Sequence, residues 1–146
     1  MSTGTVDADV VRNKLDAISA ALATLESVGE VNATRLTDEP LVGAAVERLL
    51  CRVVDLAVDV NAHISVAALG RSPGDYRESF DRALEAGALT KDLTDELKLP
   101  VGLRNAIVHD YVRIDYEAVA SSVPRAIQSY GEYRRQIASF VLDGLS

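Results

Sequence analysis

The sequence has no tryptophan, one cysteine and one methionine among its 146 residues, and only 5% of its residues are aromatic. The single cysteine, Cys51, excludes an intramolecular disulfide, and no Cys/His cluster has the spacing of a structural zinc site. We therefore expect no metal site and a core built from aliphatic side chains. Basic residues are also few, because 15 lysines and arginines accompany 22 acidic residues, for a formal net charge of −7. Such a charge argues against a broad surface that coats nucleic acid.

Long uninterrupted apolar runs are missing as well. The longest, residues 53–69, contains Asp55, Asp59, Asn61 and His63, which rules out an ordinary membrane span. Residues 1–9 lack the basic run and apolar core of a secretory signal. We therefore predict a cytoplasmic protein without membrane association.

Apolar periodicity predicts five helices and no competing strand pattern. We expect them from Asp7 to near Gly29, from Thr37 to about Leu69, from Asp75 to about Ala86, from Thr90 towards His109, and from Asp115 onward. Pro100 should kink or divide the fourth helix, and Pro124 should break the fifth near residues 120–122. The predicted fold is an all-α, up-and-down bundle of about five helices, forming a single domain over residues 1–146.

The second predicted helix has two apolar stripes, where one core face needs only one. They are Leu49, Val53, Leu56, Val60 and Ile64, and Val42, Val46, Leu50 and Ala57. Burial on two sides favours a homodimer; the alternative is a central helix surrounded by its own neighbours. His63 follows these stripes and is expected to be a partly buried interface residue.

The segment from Leu99 to Tyr111 places polar groups beside an apolar ridge of Leu99, Leu103 and Ile107. Asn105 and His109 are i,i+4 neighbours on a helix, so the amide could orient the imidazole. Arg104 and His109 diverge by about 140° on a regular helix. For both side chains to act at one site, the helix end must be distorted, the long arginine side chain must bridge the gap, or a second subunit must supply part of the site.

An arginine and a histidine together suit metal-independent cleavage of RNA. The imidazole can take a proton from a ribose 2′-hydroxyl, and the guanidinium can hold the phosphate and stabilise its growing charge. The alternative is an arginine paired with Asp110 or Asp115 and a histidine that caps a helix. Residues 98–135 carry six basic and four acidic side chains, whereas residues 1–97 carry nine and 17. The motif region is therefore the least repulsive one for a polyanion.

The sequence Arg104-Asn-Ala-Ile-Val-His109-Asp-Tyr111 resembles the Arg-x4-His-x-Tyr motif of the HepT toxin family, within the HEPN superfamily. The similarity extends over roughly residues 45–120. It includes the long helix before Leu69, the turn Arg71-Ser-Pro-Gly-Asp75, the following Tyr76-x3-Phe80 pattern, and Arg113-Ile-Asp-Tyr116.

This resemblance implies the toxin of a type II toxin–antitoxin system, a homodimeric endoribonuclease that needs no cofactor. Arg104 and His109 would be catalytic, Asn105 would support them, and the substrate would be an RNA such as tRNA or mRNA. The implied partner is a minimal nucleotidyltransferase antitoxin (MntA-like) that transfers AMP to Tyr111. Candidates for RNA binding are Arg71, Arg77, Lys98 and Arg113. The alternative function is a non-catalytic, nucleotide- or substrate-binding subunit of a nucleotidyltransferase complex.

Overall fold

The computed structural model describes residues 5–109 and 113–145, and six helices lie within them. They are α1 (Ala8–Ser27), α2 (Ala33–Asp38), α3 (Pro40–Leu69), α4 (Tyr76–Glu85), α5 (Lys91–His109) and α6 (Tyr116–Leu145). Those two ranges contain no β-strand, so the predicted all-α class is confirmed. In the same part of the chain, no helix is both long enough and apolar enough to cross a membrane.

The long helix α3 lies at the centre of the bundle and packs against all five other helices. Val46, Leu50 and Ala57 of its second apolar stripe are almost fully buried within the same chain. The second stripe therefore packs within its own chain, as the central-helix alternative expects, and the homodimer stays a prediction. His63 is half-buried and accepts a hydrogen bond from the backbone N–H of Asp7, at 2.9 Å from Nε2.

The predicted starts of four helices are confirmed by their capping groups. The Asp7, Asp75 and Asp115 carboxylates accept hydrogen bonds from the free backbone N–H groups of α1, α4 and α6. Thr90 does the same for α5, with 3.3 Å between Oγ1 and the nitrogen of Leu93. Gly87 follows α4 with φ +89°, which glycine adopts without strain. These capping groups set where four of the helices begin, and Gly87 sets where α4 ends.

The predicted start of the second helix at Thr37 is wrong. Residues 33–38 form the separate short helix α2, and α3 begins with Pro40 as its first residue. A proline disfavours helical dihedrals in the residue before it, and Glu39 indeed has φ −118° and ψ 83°. The chain therefore bends at Glu39 instead of continuing one helix through it.

Neither internal proline divides its helix. The helix α5 runs through Pro100, and α6 runs through Pro124, so the break predicted near residues 120–122 is wrong. A proline removes one backbone hydrogen bond and crowds the preceding turn. Here the flanking residues on both sides are buried in the core: Leu97 and Val101 in α5, and Val119, Val123 and Ala126 in α6. Their packing holds each helix together across the missing bond.

A buried polar group of three residues, the Asn61 network, ties α3, α4 and α6 together. The Tyr133 hydroxyl donates to Asn61 Oδ1 at 2.6 Å and also lies 3.0 Å from the Ala57 carbonyl oxygen. Asn61 Nδ2 donates to Ser79 Oγ at 3.1 Å, and Ser79 Oγ donates to the Tyr76 carbonyl oxygen at 2.7 Å. All three network residues, Asn61, Ser79 and Tyr133, have 0% exposure. The network therefore fixes the start of α4, which carries Tyr76, against α3.

Candidate functional site

Arg104 is held in place by residues from three helices, which we call the Arg104 cluster: Asp55, Tyr76, Arg104 and Asn105. The arginine side chain is only 17% exposed, and its Nε donates to Asp55 Oδ1 at 3.0 Å. Its guanidinium carbon lies 4.5 Å from the centre of the Tyr76 ring, and Nη2 is 3.3 Å from the Tyr76 hydroxyl. A charge stacked on a ring and paired with a carboxylate has little rotational freedom. The cluster therefore presents a fixed cation.

The guanidinium of Arg104 keeps donors available for a further ligand. Nη1 donates to Asn105 Oδ1 at 3.2 Å, so three of its five N–H groups are used within the cluster. The remaining two N–H groups could hold a phosphate. Asn105 was expected to contact the imidazole of His109, but among the described residues no hydrogen bond joins the two. The Asn105 amide orients the arginine instead.

Tyr76 connects the cluster by a second hydrogen bond, from its hydroxyl to Asp55 Oδ1 at 3.0 Å. Burial raises the pKa of Tyr76, and the hydrogen bond and negative charge of Asp55 raise it further. The hydroxyl therefore stays protonated at neutral pH. The Asp55 carboxylate accepts from both Tyr76 and Arg104 and keeps their orientations linked.

His109 does not join the cluster. It is the last described residue of α5, its side chain is exposed, and no hydrogen bond to it occurs within residues 5–109 and 113–145. Arg104 instead turns towards α3 and α4. Within the described residues of one chain, therefore, no hydrogen bond joins His109 to Arg104 or to the rest of the cluster. Tyr111, the expected acceptor of AMP, lies outside the described residues.

The alternative roles of Arg104 are partly answered by the structure. Asp115 caps α6, and the carboxylate that pairs with Arg104 is Asp55, 49 residues away in sequence. Asp110 lies outside the described residues. Arg104 is thus a half-buried, anchored cation rather than a surface arginine paired with Asp115.

The other basic residues expected to bind RNA differ in whether a carboxylate already pairs with them. Arg71 pairs with Glu85, and Lys98 pairs with Asp81 at 2.6 Å. Arg77 has no carboxylate partner in the described part of the chain. Its Nη2 lies 3.0 Å from the position that a Cβ on Gly102 would occupy. Since Gly102 and His109 are two helical turns apart on one face of α5, Arg77 lies over the face that carries His109.

Neither a metal site nor a reactive thiol occurs among the described residues. Residues 5–109 and 113–145 contain no group of three or more histidine, cysteine, aspartate or glutamate side chains placed to hold a metal ion. Cys51 is buried near the cluster. Burial first, and then the negative charge of Asp55, raises the pKa of its thiol, while Arg104 acts in the opposite direction. The raised pKa keeps Cys51 in the protonated, unreactive form.

Sequence reasoning missed Asp55 and Tyr76. Both were visible as anomalies: Asp55 interrupts an apolar helix, and Tyr76 begins the Tyr-x3-Phe pattern after the Pro-containing turn. A carboxylate in an apolar stretch needs a partner. The sequence does not show which of 15 basic residues supplies it.

Comparisons with known proteins agree with this architecture. The chain is 36% identical over 97 residues to the tRNA nuclease HepT of Aphanizomenon flos-aquae, covering 66% of this chain and 65% of that protein. It thus spans slightly less than two thirds of that relative's length. It is 26% identical to the mRNA nuclease HepT of Shewanella oneidensis over 125 residues, covering 86% and 93%.

The fold is that of the tri-AMPylated HEPN toxin of Shewanella oneidensis, which was solved in complex with an MNT antitoxin. The two structures superpose with a TM-score of 0.81 at 24% identity, over 91% of this chain and 99% of that one. An all-α HEPN bundle is thus the structural class. Residues 18–137 match the sequence model of the HepT-like ribonucleases, and the chain belongs to that family.

Proposed function

We propose that this chain is the toxin of a toxin–antitoxin pair, a metal-independent endoribonuclease that its nucleotidyltransferase antitoxin neutralises by AMPylation. One observation carries the proposal: Arg104 is anchored by Asp55 and Tyr76 and keeps two N–H groups unused. The anchored guanidinium is 17% exposed, so these two N–H groups are available to water or to the phosphate of a ligand. The names of the relatives, tRNA nuclease and mRNA nuclease, support RNA as the substrate class and therefore the cytoplasm as its place of action.

The roles follow from the chemistry of the two side chains. Arg104 would bind the scissile phosphate and stabilise the charge that grows on its oxygens. His109 would take the proton from the ribose 2′-hydroxyl or return one to the leaving 5′-oxygen. Attack by the 2′-oxygen on phosphorus breaks the bond to the 5′-oxygen and yields a 2′,3′-cyclic phosphate. Asn105 supports the reaction through its contact with Nη1 of Arg104.

We further propose that a homodimer completes the site. Arg104 is half-buried against α3 and α4, whereas His109 is exposed and diverges from it by about 140° on a regular helix. A second copy could bring its own His109 to the first copy's Arg104.

Cleavage of RNA in the presence of EDTA tests the central proposal. Arg104→Ala and His109→Ala should each slow cleavage by about 100-fold or more and abolish growth inhibition. Matched controls are Arg12→Ala, an exposed arginine paired with Asp9, and replacement of the other histidine, His63→Ala. If wild type cuts no RNA and its expression is harmless, the chain is a non-catalytic binding subunit.

Co-expression of the two inactive variants tests the dimeric site. A heterodimer of Arg104→Ala and His109→Ala would contain one intact site if each site uses both copies. Random pairing would then restore about a quarter of the wild-type rate. If heterodimers form but cleavage does not recover, Arg104 and His109 of each site belong to the same protomer.

Neutralisation is tested with the partner nucleotidyltransferase and ATP. We expect a mass gain of one or more AMP groups, located on Tyr111, and loss of cleavage, because the added phosphate repels the phosphate of RNA. Tyr111→Phe should prevent the modification. The nearby Tyr116→Phe is the matched control and should be modified normally. Modification of wild type at another residue would contradict the assignment.

A further inference from the structure

A cavity of about 550 Å³ lies between α3, α5 and α6, directly beside Arg104. We call it the Tyr130 cavity; its walls include Leu50, Val54, Leu103, Arg104, Ser129 and Tyr130. A volume of this size lies within the range of about 300–1,000 Å³ that is usual for small-ligand pockets. The function proposed above uses Arg104 but does not explain why a cavity adjoins it.

Ser129 and Tyr130 in this cavity wall carry hydroxyl groups that make no hydrogen bond within the described residues, and the Tyr130 hydroxyl is the enclosed one of the two. Tyr130 is 1% exposed and Ser129 is 4% exposed. The Tyr130 hydroxyl is fully enclosed and unpaired, and that of Ser129 makes no hydrogen bond within the described residues. An unpaired buried hydroxyl costs about 1–3 kcal/mol, so such groups usually have a partner. The unpaired Tyr130 hydroxyl, with the Ser129 hydroxyl beside it in the same cavity wall, indicates that a polar ligand completes this site.

The walls of the cavity define the kind of ligand that it fits. Leu50, Val54 and Leu103 give apolar faces, while hydroxyls, the Gln128 amide and the Glu96 carboxylate line the same space. A flat ring that has apolar faces and a hydrogen-bonding edge matches this combination. A nucleobase has that shape and chemistry. An aliphatic side chain from a protein partner would fill the space but leave both hydroxyls unpaired.

The position of Arg104 connects this ligand to the proposed reaction. Arg104 is part of the cavity wall, and its two unused N–H groups are available to a phosphate. Arg125 also lines the cavity, is exposed and has no carboxylate partner in the described part of the chain. A nucleotide whose base enters the cavity would therefore meet cations where its phosphate must lie.

We propose that the Tyr130 cavity binds one unstacked nucleobase of the RNA substrate, next to the phosphate that Arg104 holds. This inference rests on the proposed ribonuclease function. It makes unpaired RNA the preferred substrate, because a base must leave its stack to enter the cavity. Ser129 and Tyr130 would be specificity-determining residues, since they hydrogen-bond to the edge of the base.

The first test measures binding without cleavage. The full chain is titrated with adenosine, cytidine and uridine, which lack phosphate, while backbone NMR signals are followed. We expect at least one nucleoside to shift the signals of Ser129 and Tyr130, and Tyr130→Phe to weaken that binding about tenfold. No shift at millimolar nucleoside, or shifts confined to other regions, would overturn the inference.

A matched pair of substitutions on α6 tests the location. Ser122 is half-buried in the wall of the Tyr130 cavity, and Ser139 lines a separate cavity near the start of α5. Ser122→Phe should fill the cavity and abolish nucleoside binding, whereas Ser139→Phe should bind as wild type does. Equal binding by both variants would disprove the site. If Ser122→Phe changes the oligomeric state instead, as measured by light scattering, the cavity is a protein contact and the inference is wrong.

Cleavage assays separate the two proposals. If wild type and Ser122→Phe cut single-stranded RNA at the same rate, the ribonuclease function stands and the base site fails. If nucleosides bind in the cavity but wild type cuts no RNA, the ribonuclease proposal fails and the nucleobase site stands. Support for both requires cleavage by wild type and Ser139→Phe, together with a loss of at least tenfold in Ser122→Phe.

Discussion

Tyr130 and Tyr133 are neighbours on α6, with ring centres 6.1 Å apart, yet their hydroxyls have opposite fates. Both side chains are almost completely buried, at 1% and 0% exposure. The Tyr133 hydroxyl is paired within the Asn61 network, and the Tyr130 hydroxyl is paired with nothing. The buried hydroxyl on one side of α6 is thus hydrogen-bonded within the isolated chain, whereas the buried hydroxyl on the side of the Tyr130 cavity is not.

The same contrast separates the two regions around these tyrosines. Every side chain of the Asn61 network has a hydrogen-bond partner, so a substitution there removes stability. The Arg104 cluster and the Tyr130 cavity retain unused donors, so a substitution there should alter function with little loss of stability. Asn61 against Asn105, and Tyr133 against Tyr130, compare the two regions directly.

The largest expected effect is that of Asn61→Ala. It leaves the Tyr133 and Ser79 hydroxyls short of a partner inside the core and opens a small cavity, which should lower the free energy of unfolding by about 2–4 kcal/mol. Asn105→Ala in the Arg104 cluster should lower it by less than about 1 kcal/mol, because Asn105 is only half-buried. Urea denaturation measures both. Equal losses would remove the distinction between the regions.

Alkaline pH should destabilise the protein through both buried tyrosines. Burial raises the pKa of each well above the ordinary value of 10.0, with Asp55 as a second cause for Tyr130 and Tyr130 as a second cause for Tyr133. Below pH 10 both tyrosines are protonated in the folded and in the unfolded chain, so their full contribution to the free energy of unfolding is present. Above it the unfolded chain loses protons that the folded chain keeps, so the free energy of unfolding falls by up to about 1.4 kcal/mol per pH unit and tyrosine.

Urea midpoints measured on either side of pH 10 test this dependence. Tyr130→Phe and Tyr133→Phe should each remove about one tyrosine's share of the slope. A slope that is unchanged in Tyr130→Phe would mean that this hydroxyl ionises freely in the folded chain.

At neutral pH the same two substitutions should differ. Tyr133→Phe removes a hydroxyl that is hydrogen-bonded to Asn61 and should cost about 1–2 kcal/mol. Tyr130→Phe removes an unpaired one and should leave the free energy of unfolding unchanged within about 0.5 kcal/mol, or raise it. Thermal unfolding near pH 7 gives the comparison. A loss in Tyr130→Phe as large as that in Tyr133→Phe would show that the Tyr130 hydroxyl has a partner after all.

Asp55→Asn should separate positioning from binding in the Arg104 cluster. The neutral amide no longer compensates the guanidinium charge, so KM for RNA should fall, while kcat should drop about tenfold because Arg104 loses its orientation. Asp59→Asn, on the same helix and paired with Lys14, is the control and should change neither. A decrease in kcat without any change in KM would contradict the charge argument.

The smallest effect is expected for Gly102→Ala. Alanine stabilises a helix interior by about 0.5–1 kcal/mol relative to glycine, but its Cβ would lie 3.0 Å from Nη2 of Arg77 and displace that group. We expect a higher melting temperature and RNA binding that is weaker by about two- to threefold. The new Cβ of Gly131→Ala meets nothing within 4 Å outside its own helical turn, so this variant should be more stable and bind RNA as wild type does. Unchanged RNA binding in Gly102→Ala would exclude Arg77 from the binding surface.

The sequence predicted what depends on local chemistry and failed where distant residues decide. Asp7, Asp75, Asp115 and Gly87 act within a few residues, so their caps could be found. The break predicted before Pro124 was wrong, because burial of the turns around that proline compensates for the missing hydrogen bond. The contacts of Arg104 with Asp55 and Tyr76 span 49 and 28 residues, and only the fold brings them together. The family motif located Arg104 without indicating what anchors it.

The distribution of unpaired arginines has a kinetic consequence. Arg77 and Arg125 have no carboxylate partner within the described residues, and each adjoins the Arg104 cluster or its cavity. Most other basic side chains, such as Arg71 and Lys98, are neutralised by neighbouring acids on a molecule of net charge −7. The acidic body therefore repels an approaching polyanion, and Arg77 and Arg125 weaken that repulsion in the neighbourhood of Arg104. The repulsion by the acidic surface restricts the orientations in which RNA can approach. Raising the ionic strength should therefore weaken both this restriction and the attraction by the arginines.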